Sequence, residues 1–230
     1  MGESALLHFS AHRLQELSLA FMAIVYSLRL YWLFRFKAGR DRQPQTGRLS
    51  TDPMKGAAYS LANIAMPWAM ESTRMNPLYW AQFVLFHLGV TAAITLSFII
   101  PYAPSVLESE AAVRLFQIFT GAAFFVGCYR FVRRIVNPYM RAISTPDDYF
   151  SLALLTVWFF FATLAAPNDV LGGEGHLLAF FFLTAFFLIY VPFSKISHYL
   201  YYPFMRFYIG RSLGHRGVYP IQRSATPDRG

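Results

Sequence analysis

The sequence predicts an all-α fold: an integral membrane bundle of five transmembrane helices, with the N-terminus outside and the C-terminus in the cytoplasm. Three observations carry that expectation. Of 230 residues, 56% are hydrophobic and only 14% charged, where ordinary soluble domains are roughly a quarter charged. Five apolar runs are each long enough to cross about 30 Å of hydrocarbon. The segments that join them alternate in sign, which by the positive-inside rule sets the orientation.

The first run is Leu17 to Phe34. The preceding MGESALLHFSAHRLQEL lacks a basic n-region, an apolar core and a small-residue cleavage site, so no removable signal peptide is expected. Arg35, Lys37, Arg40, Arg42, Arg48, Lys55 and Arg74 make the first connection basic. Within it, Leu61, Ile64, Ala65 and Trp68 recur at helical spacing and predict an interfacial amphipathic helix, shortened or kinked by Pro67. The second run, Leu78 to Ile100, leads to Glu108 and Glu110; the third, Val113 to Phe131, leads to Arg130, Arg133, Arg134 and Arg141. The fourth, Tyr149 to Ala166, is followed by Asp169 and Glu174, and the fifth, His176 to Tyr199, by Lys195, Arg206, Arg211, Arg216, Arg223 and Arg229. Residues 1–210 are expected to form one bundle and 211–230 a flexible basic cytoplasmic tail.

The net charge of +8 sits in short blocks between apolar runs, where it fits membrane topology rather than a nucleic-acid surface. The single cysteine, Cys128, allows no disulfide within the chain and no thiolate metal cluster. There is no phosphate-binding glycine loop, no HExxH and no CxxC.

Polar groups inside spans are costly, so each is a functional candidate. His87, in WAQFVLFHLGVTAAITLSF, needs a partner: either bound iron, or a backbone carbonyl or neighbouring hydroxyl. His198, in VPFSKISHYLYYPF, is the natural second ligand, since both histidines lean to the cytoplasmic leaflet. With Tyr79 and Trp80 marking the inner edge, His87 lies about 11 Å inside at roughly 1.5 Å per residue. His198, beside Tyr199, Tyr201 and Tyr202, lies near that edge, so sharing one iron requires tilt or a deeper fifth helix. His176, at the outer end of the fifth run, is the competing partner, about 20 Å from His87 by the same rise. His8 and His12, four apart on one helix face, share the outer leaflet with His176 and offer a second metal or haem site. Arg114, at the outer start of the third run, suits a quinone carbonyl or a haem propionate.

PFSKISHYLYYPFMRF (Pro192 to Phe207), FHLGVTAAITLSF and RRIVNPYMRAISTPDDYFSLALLTVWFFFATLAAP (Arg133 to Pro167) together resemble the membrane cytochrome b subunit, the gamma subunit, of respiratory nitrate reductase. The likeness extends to related membrane subunits of sulfur-compound and heterodisulfide-type reductases, and covers most of the second to fifth runs in order. It implies that His87 and His198 are the axial ligands of a cytoplasm-side haem b. The family's second helix carries another histidine ten residues on, where this chain has Ser97; its fifth carries another eighteen residues before the last, where this chain has Phe180. Both outer-haem ligands are absent together, so one haem is expected.

The resemblance further implies a subunit of a prokaryotic cytoplasmic-membrane respiratory complex that exchanges electrons between quinol, such as menaquinol, and a cytoplasmic iron-sulfur partner carrying the catalytic subunit. The partner surface would comprise the Arg40 to Lys55 loop, the Arg130 to Arg141 turn and the segment after Pro203, with membrane lipid around the bundle and no nucleic acid. A rival of another class is a haem-free anchor that holds a cytoplasmic enzyme at the membrane, in which His87 and His198 only pack.

Overall fold

The computed structural model describes residues 4–37, 39, 41–66, 68 and 71–222, and among them the chain is helical, with no strand. Arg40, the kink expected at Pro67 and the tail from Arg223 onward lie outside these residues. Among the described residues five helices are long and apolar enough to cross a membrane: Ala5–Arg35 (α1), Pro77–Tyr102 (α4), Glu110–Val136 (α5), Pro146–Ala165 (α7) and Gly175–Phe193, whose α-helical part is Gly175–Tyr190 (α8). Shorter helices are Pro53–Ala62 (α2), Glu71–Met75 (α3), Pro138–Ala142 (α6) and the longer, less apolar His198–His215 (α9). By residue contacts the chain divides into two units, Met1–Tyr31 with Leu78–Ser197, and Trp32–Pro77 with His198–Gly230.

All five apolar runs fall in long helices, with two ends displaced. The first helix begins at Ala5, where the Ser4 hydroxyl accepts from the Leu7 amide at 3.2 Å, a side-chain cap that starts a helix irrespective of hydropathy. The apolar run that ends at Tyr199 is interrupted after Tyr190. Pro192 has no amide proton to continue the helical ladder, and short 3₁₀ turns at Val191–Phe193 and Lys195–Ser197 take over. His198 therefore opens a separate helix rather than closing the fifth span.

In the first unit the long helices pack around an aromatic centre of Phe159, Phe180 and Phe181, all fully buried, with Leu96 and Leu177. Small residues let the backbones approach, as expected between helices that lack a hydrophobic drive to associate in lipid. Gly89 of α4 lies against Ala123 and the Phe119 carbonyl of α5, and Gly127 of α5 lies against Thr156 of α7. Buried hydroxyls and amides pair across helices: Trp158 Nε1 donates to Thr184 Oγ1 at 2.9 Å, Thr163 Oγ1 to Thr120 Oγ1 at 2.9 Å, and Gln15 Nε2 to the Ser97 carbonyl at 3.0 Å.

In the second unit α2 packs against α9 through two small-residue patterns, Gly56-x-x-x-Ser60 and Gly210-x-x-x-Gly214. A methyl group built on Gly210 would stand 2.5 Å from Ser60 Cβ and 2.6 Å from the Gly56 carbonyl oxygen, so only glycine admits this contact. The apolar positions Leu61 and Trp68, read as a membrane-facing stripe, are exposed, while the buried side of α2 is Gly56, Ala57 and Ser60. The connection before α2 is tied to the end of α9. Gly47 and Arg48 amides donate to the Arg216 and Gly217 carbonyls at 3.0 and 3.2 Å, and Thr51 Oγ1 donates to the Gly214 carbonyl at 2.8 Å. Arg216 also hydrogen-bonds Asp41 and holds its carboxyl below the ordinary 3.8. A depressed carboxylate stabilises the fold above its ordinary value, and the contribution fades as pH falls through the lowered one. The link is therefore intact at neutral pH.

Replacing Gly210 with leucine should lower the stability of the chain in detergent by roughly 1–3 kcal/mol, the range for overpacking a close contact. Gly172→Ala, where nothing stands within 4 Å of the added carbon, should leave the unfolding midpoint unchanged in the same denaturant titration.

Candidate functional site

His87 is positioned by its neighbours on α4. Phe86, one residue before it, is buried edge-to-face against Phe159 with ring centroids 5.1 Å apart, and Gly89, two after it, is pressed on α5. With 3.6 residues per turn, burying Phe86 and Gly89 turns His87 toward the exposed side of the helix. Its ring lies on Phe83, centroids 4.1 Å apart, and Nδ1 is 2.7 Å from the Phe83 carbonyl oxygen. A carbonyl can only accept, so Nδ1 carries the proton. In the neutral ring the lone pair is then on Nε2, the tautomer and orientation that a backbone carbonyl commonly imposes on a ligating histidine. Arg130 over Phe86 (5.6 Å) and Arg133 over Tyr79 (4.5 Å) fasten this part of α4 to α5.

His198 is exposed at the first position of α9. The residues just before it are anchored by a polar network that the sequence reading missed. Asp147 accepts from the Lys195 amide at 3.0 Å and hydrogen-bonds the Tyr190 hydroxyl, which is 2.9 Å from Ser151 Oγ. Lys195 Nζ donates to Asp148 Oδ2 at 2.7 Å and to Thr145 Oγ1 at 2.8 Å, and Asp148 closes a capping box with Thr145 at the start of α7. The two aspartates thus fix both the entry to α7 and the Lys195–Ser197 turn that delivers His198. The Thr-Pro-Asp-Asp run at Thr145–Asp148 is the capping signal that announces this site in the sequence.

At the second candidate, His8 and His12 rings lie 4.5 Å apart across the π-helical turn Phe9–Leu14. His12 meets Tyr102 edge-on at 5.2 Å, and Tyr102 Oη donates to Glu16 Oε1 at 3.0 Å. His176 is half-buried at the second position of α8. Among the described residues no three His, Cys, Asp or Glu side chains form a group able to hold a metal ion. Arg114 is exposed and bonded to Glu110 of the preceding turn, at 2.5 Å through Nη2 and 3.0 Å through Nε. The two positions where the resembled family has further histidines are both packed: Phe180 is fully buried and stacks on Trp158 at 6.1 Å, and Ser97 is buried with its carbonyl taken by Gln15.

No protein-family description matches the chain, and no solved structure matches it. It is similar to a protein of Nitratidesulfovibrio vulgaris (strain Hildenborough) that bears only the name Protein, at 28% identity over 152 residues, or 63% of this chain and 66% of that relative. The chain thus matches slightly less than two thirds of the relative's length.

Asp148→Ala should destabilise the chain by roughly 1–2 kcal/mol, the scale of a lost helix cap, with its lysine partner adding to the loss. Denaturant unfolding in detergent measures it, and Glu110→Ala, which removes only an exposed i,i+4 pair, should change stability by less than about 0.5 kcal/mol.

Proposed function

We propose that this chain is the haem b membrane subunit of a respiratory oxidoreductase complex in a prokaryotic cytoplasmic membrane, passing electrons between membrane quinol and a cytoplasmic iron-sulfur partner. The observation that carries the proposal is the fixed imidazole of His87 on a long apolar helix, its Nδ1 committed to the Phe83 carbonyl at 2.7 Å, which sets the tautomer. That donor chemistry fits an axial ligand. Haem b, held by two imidazoles, supplies reversible one-electron chemistry at an iron with both axial positions filled.

In this reading His87 and His198 are the two ligands. Phe83 orients the His87 ring, while Asp147 and Asp148 set the turn from which His198 emerges. A single haem is favoured because Phe180 and Ser97 are packing positions. The orientation follows the charge pattern, N-terminus outside, with α2 and the segment after it lying near the membrane surface through exposed Leu61 and Trp68. Arg114 is held by Glu110, so a quinone carbonyl or propionate would have to compete with that carboxylate. The basic loops would meet the acidic face of a partner subunit. The bacterial source of the similar protein accords with a prokaryotic membrane.

The test is a reduced-minus-oxidised visible spectrum of the purified chain, with haem quantified per polypeptide. One haem b per chain is expected, lost in His87→Ala and in His198→Ala and retained in His176→Ala and in the His8→Ala, His12→Ala double variant. A folded, haem-free protein would instead favour the anchor.

A further inference from the structure

The second unit carries a groove of about 910 Å³ that none of the histidine chemistry uses. Its lining comes from two stretches that change character in the same direction along the chain. At the end of α1, Leu33 and Phe34 give way to Lys37, and along α9, Phe204 and Met205 give way two turns later to Arg211. Phe34 and Phe204 meet edge-to-face, ring centroids 5.3 Å apart, and pin the two apolar parts together. The apolar part continues a helix long enough to cross a membrane, so it lies at the hydrocarbon boundary, and the two cations lie on the water side of it. The carboxylate in the lining, Asp41, is already neutralised by Arg216, which leaves the polar part of the groove basic.

We propose that this groove is a binding site for an anionic phospholipid, its phosphate held by Lys37 and Arg211 and an acyl chain lying along Phe34, Phe204 and Met205. Charge and greasiness divide along the groove as they divide along the lipid. A zwitterionic lipid would bring its own cation to the same two basic side chains and gain less. The groove's volume falls within the 300–1,000 Å³ of specific ligand sites, and a basic side chain at a membrane surface is worth about 1 kcal/mol toward an anionic headgroup. The inference is independent of haem, since neither His87 nor His198 lines the groove.

The experiment is native mass spectrometry of the full chain in mild detergent, titrated separately with phosphatidylglycerol and phosphatidylethanolamine of identical acyl chains, and with glycerol phosphate as the free anion. Phosphatidylglycerol should be retained roughly tenfold more strongly than phosphatidylethanolamine, the scale that one to two surface cations supply, and glycerol phosphate should not compete with it. The Lys37→Gln, Arg211→Gln double variant should bind the two lipids alike, while Arg114→Gln should keep the preference. Equal retention of both lipids by the unaltered chain overturns the proposal whatever the variants do. So does a preference that survives the double variant, full competition by glycerol phosphate, or a partner polypeptide found in the groove of the assembled complex.

Discussion

In hydrocarbon no water replaces a lost backbone hydrogen bond, and the rest of this chain is arranged around that constraint. It forces the apolar runs into helices that satisfy themselves, and it removes the hydrophobic drive that would otherwise hold them together. The helices associate instead by close approach at small residues, Gly89 on Ala123 and Gly127 on Thr156, and by buried pairs such as Trp158 with Thr184. Polar side chains retained in such a setting are costly unless paired, as Gln15 Nε2 is on the Ser97 carbonyl.

The same constraint separates two kinds of histidine. His87 satisfies one nitrogen locally on the Phe83 carbonyl, which sets its second nitrogen chemically as an acceptor in the neutral ring. His8 and His12 face each other beside Tyr102 and Glu16 on an exposed helix end, where solvent can satisfy them. The Asp147–Tyr190–Lys195 network is the counterpart in side chains of what α-helical hydrogen bonds do for the backbone. Where the ladder stops at Pro192, two carboxylates collect the donors that the turn exposes.

Much of the architecture was legible in the sequence because hydropathy and charge report on solvent directly. The five spans, and the breadth of α4 and α5, follow from runs of apolar residues bounded by charge. The start of α1 was not legible that way. The apolar run begins only at Leu17, and although the spacing of His8 and His12 puts them on one helix face, neither the Ser4 cap nor the burial of Gln15 on the Ser97 carbonyl shows in that pattern. The end of the fifth span was misread for the opposite reason: the apolar run persists past Tyr190, but Pro192 and the pull of Asp147 on Lys195 turn the backbone. Of the candidate site, His87 stood out as a histidine in an apolar helix. Its carbonyl partner depends on rotamer, and the Asp147–Lys195 contact joins residues 48 apart, so neither could be read from local pattern. The Gly56, Ser60, Gly210 and Gly214 spacing was present in the sequence but only its pairing across α2 and α9 gives it meaning.

In the proposed function His87 and His198 supply both axial nitrogens of one haem iron. Electron paramagnetic resonance of the oxidised, purified chain tests it most directly, because axial ligation sets the spin state. The expected result is one low-spin ferric species of bis-imidazole character that becomes high-spin or disappears when His87 is replaced by alanine. A high-spin signal in the unaltered protein, or a low-spin signal untouched by that substitution, would contradict it.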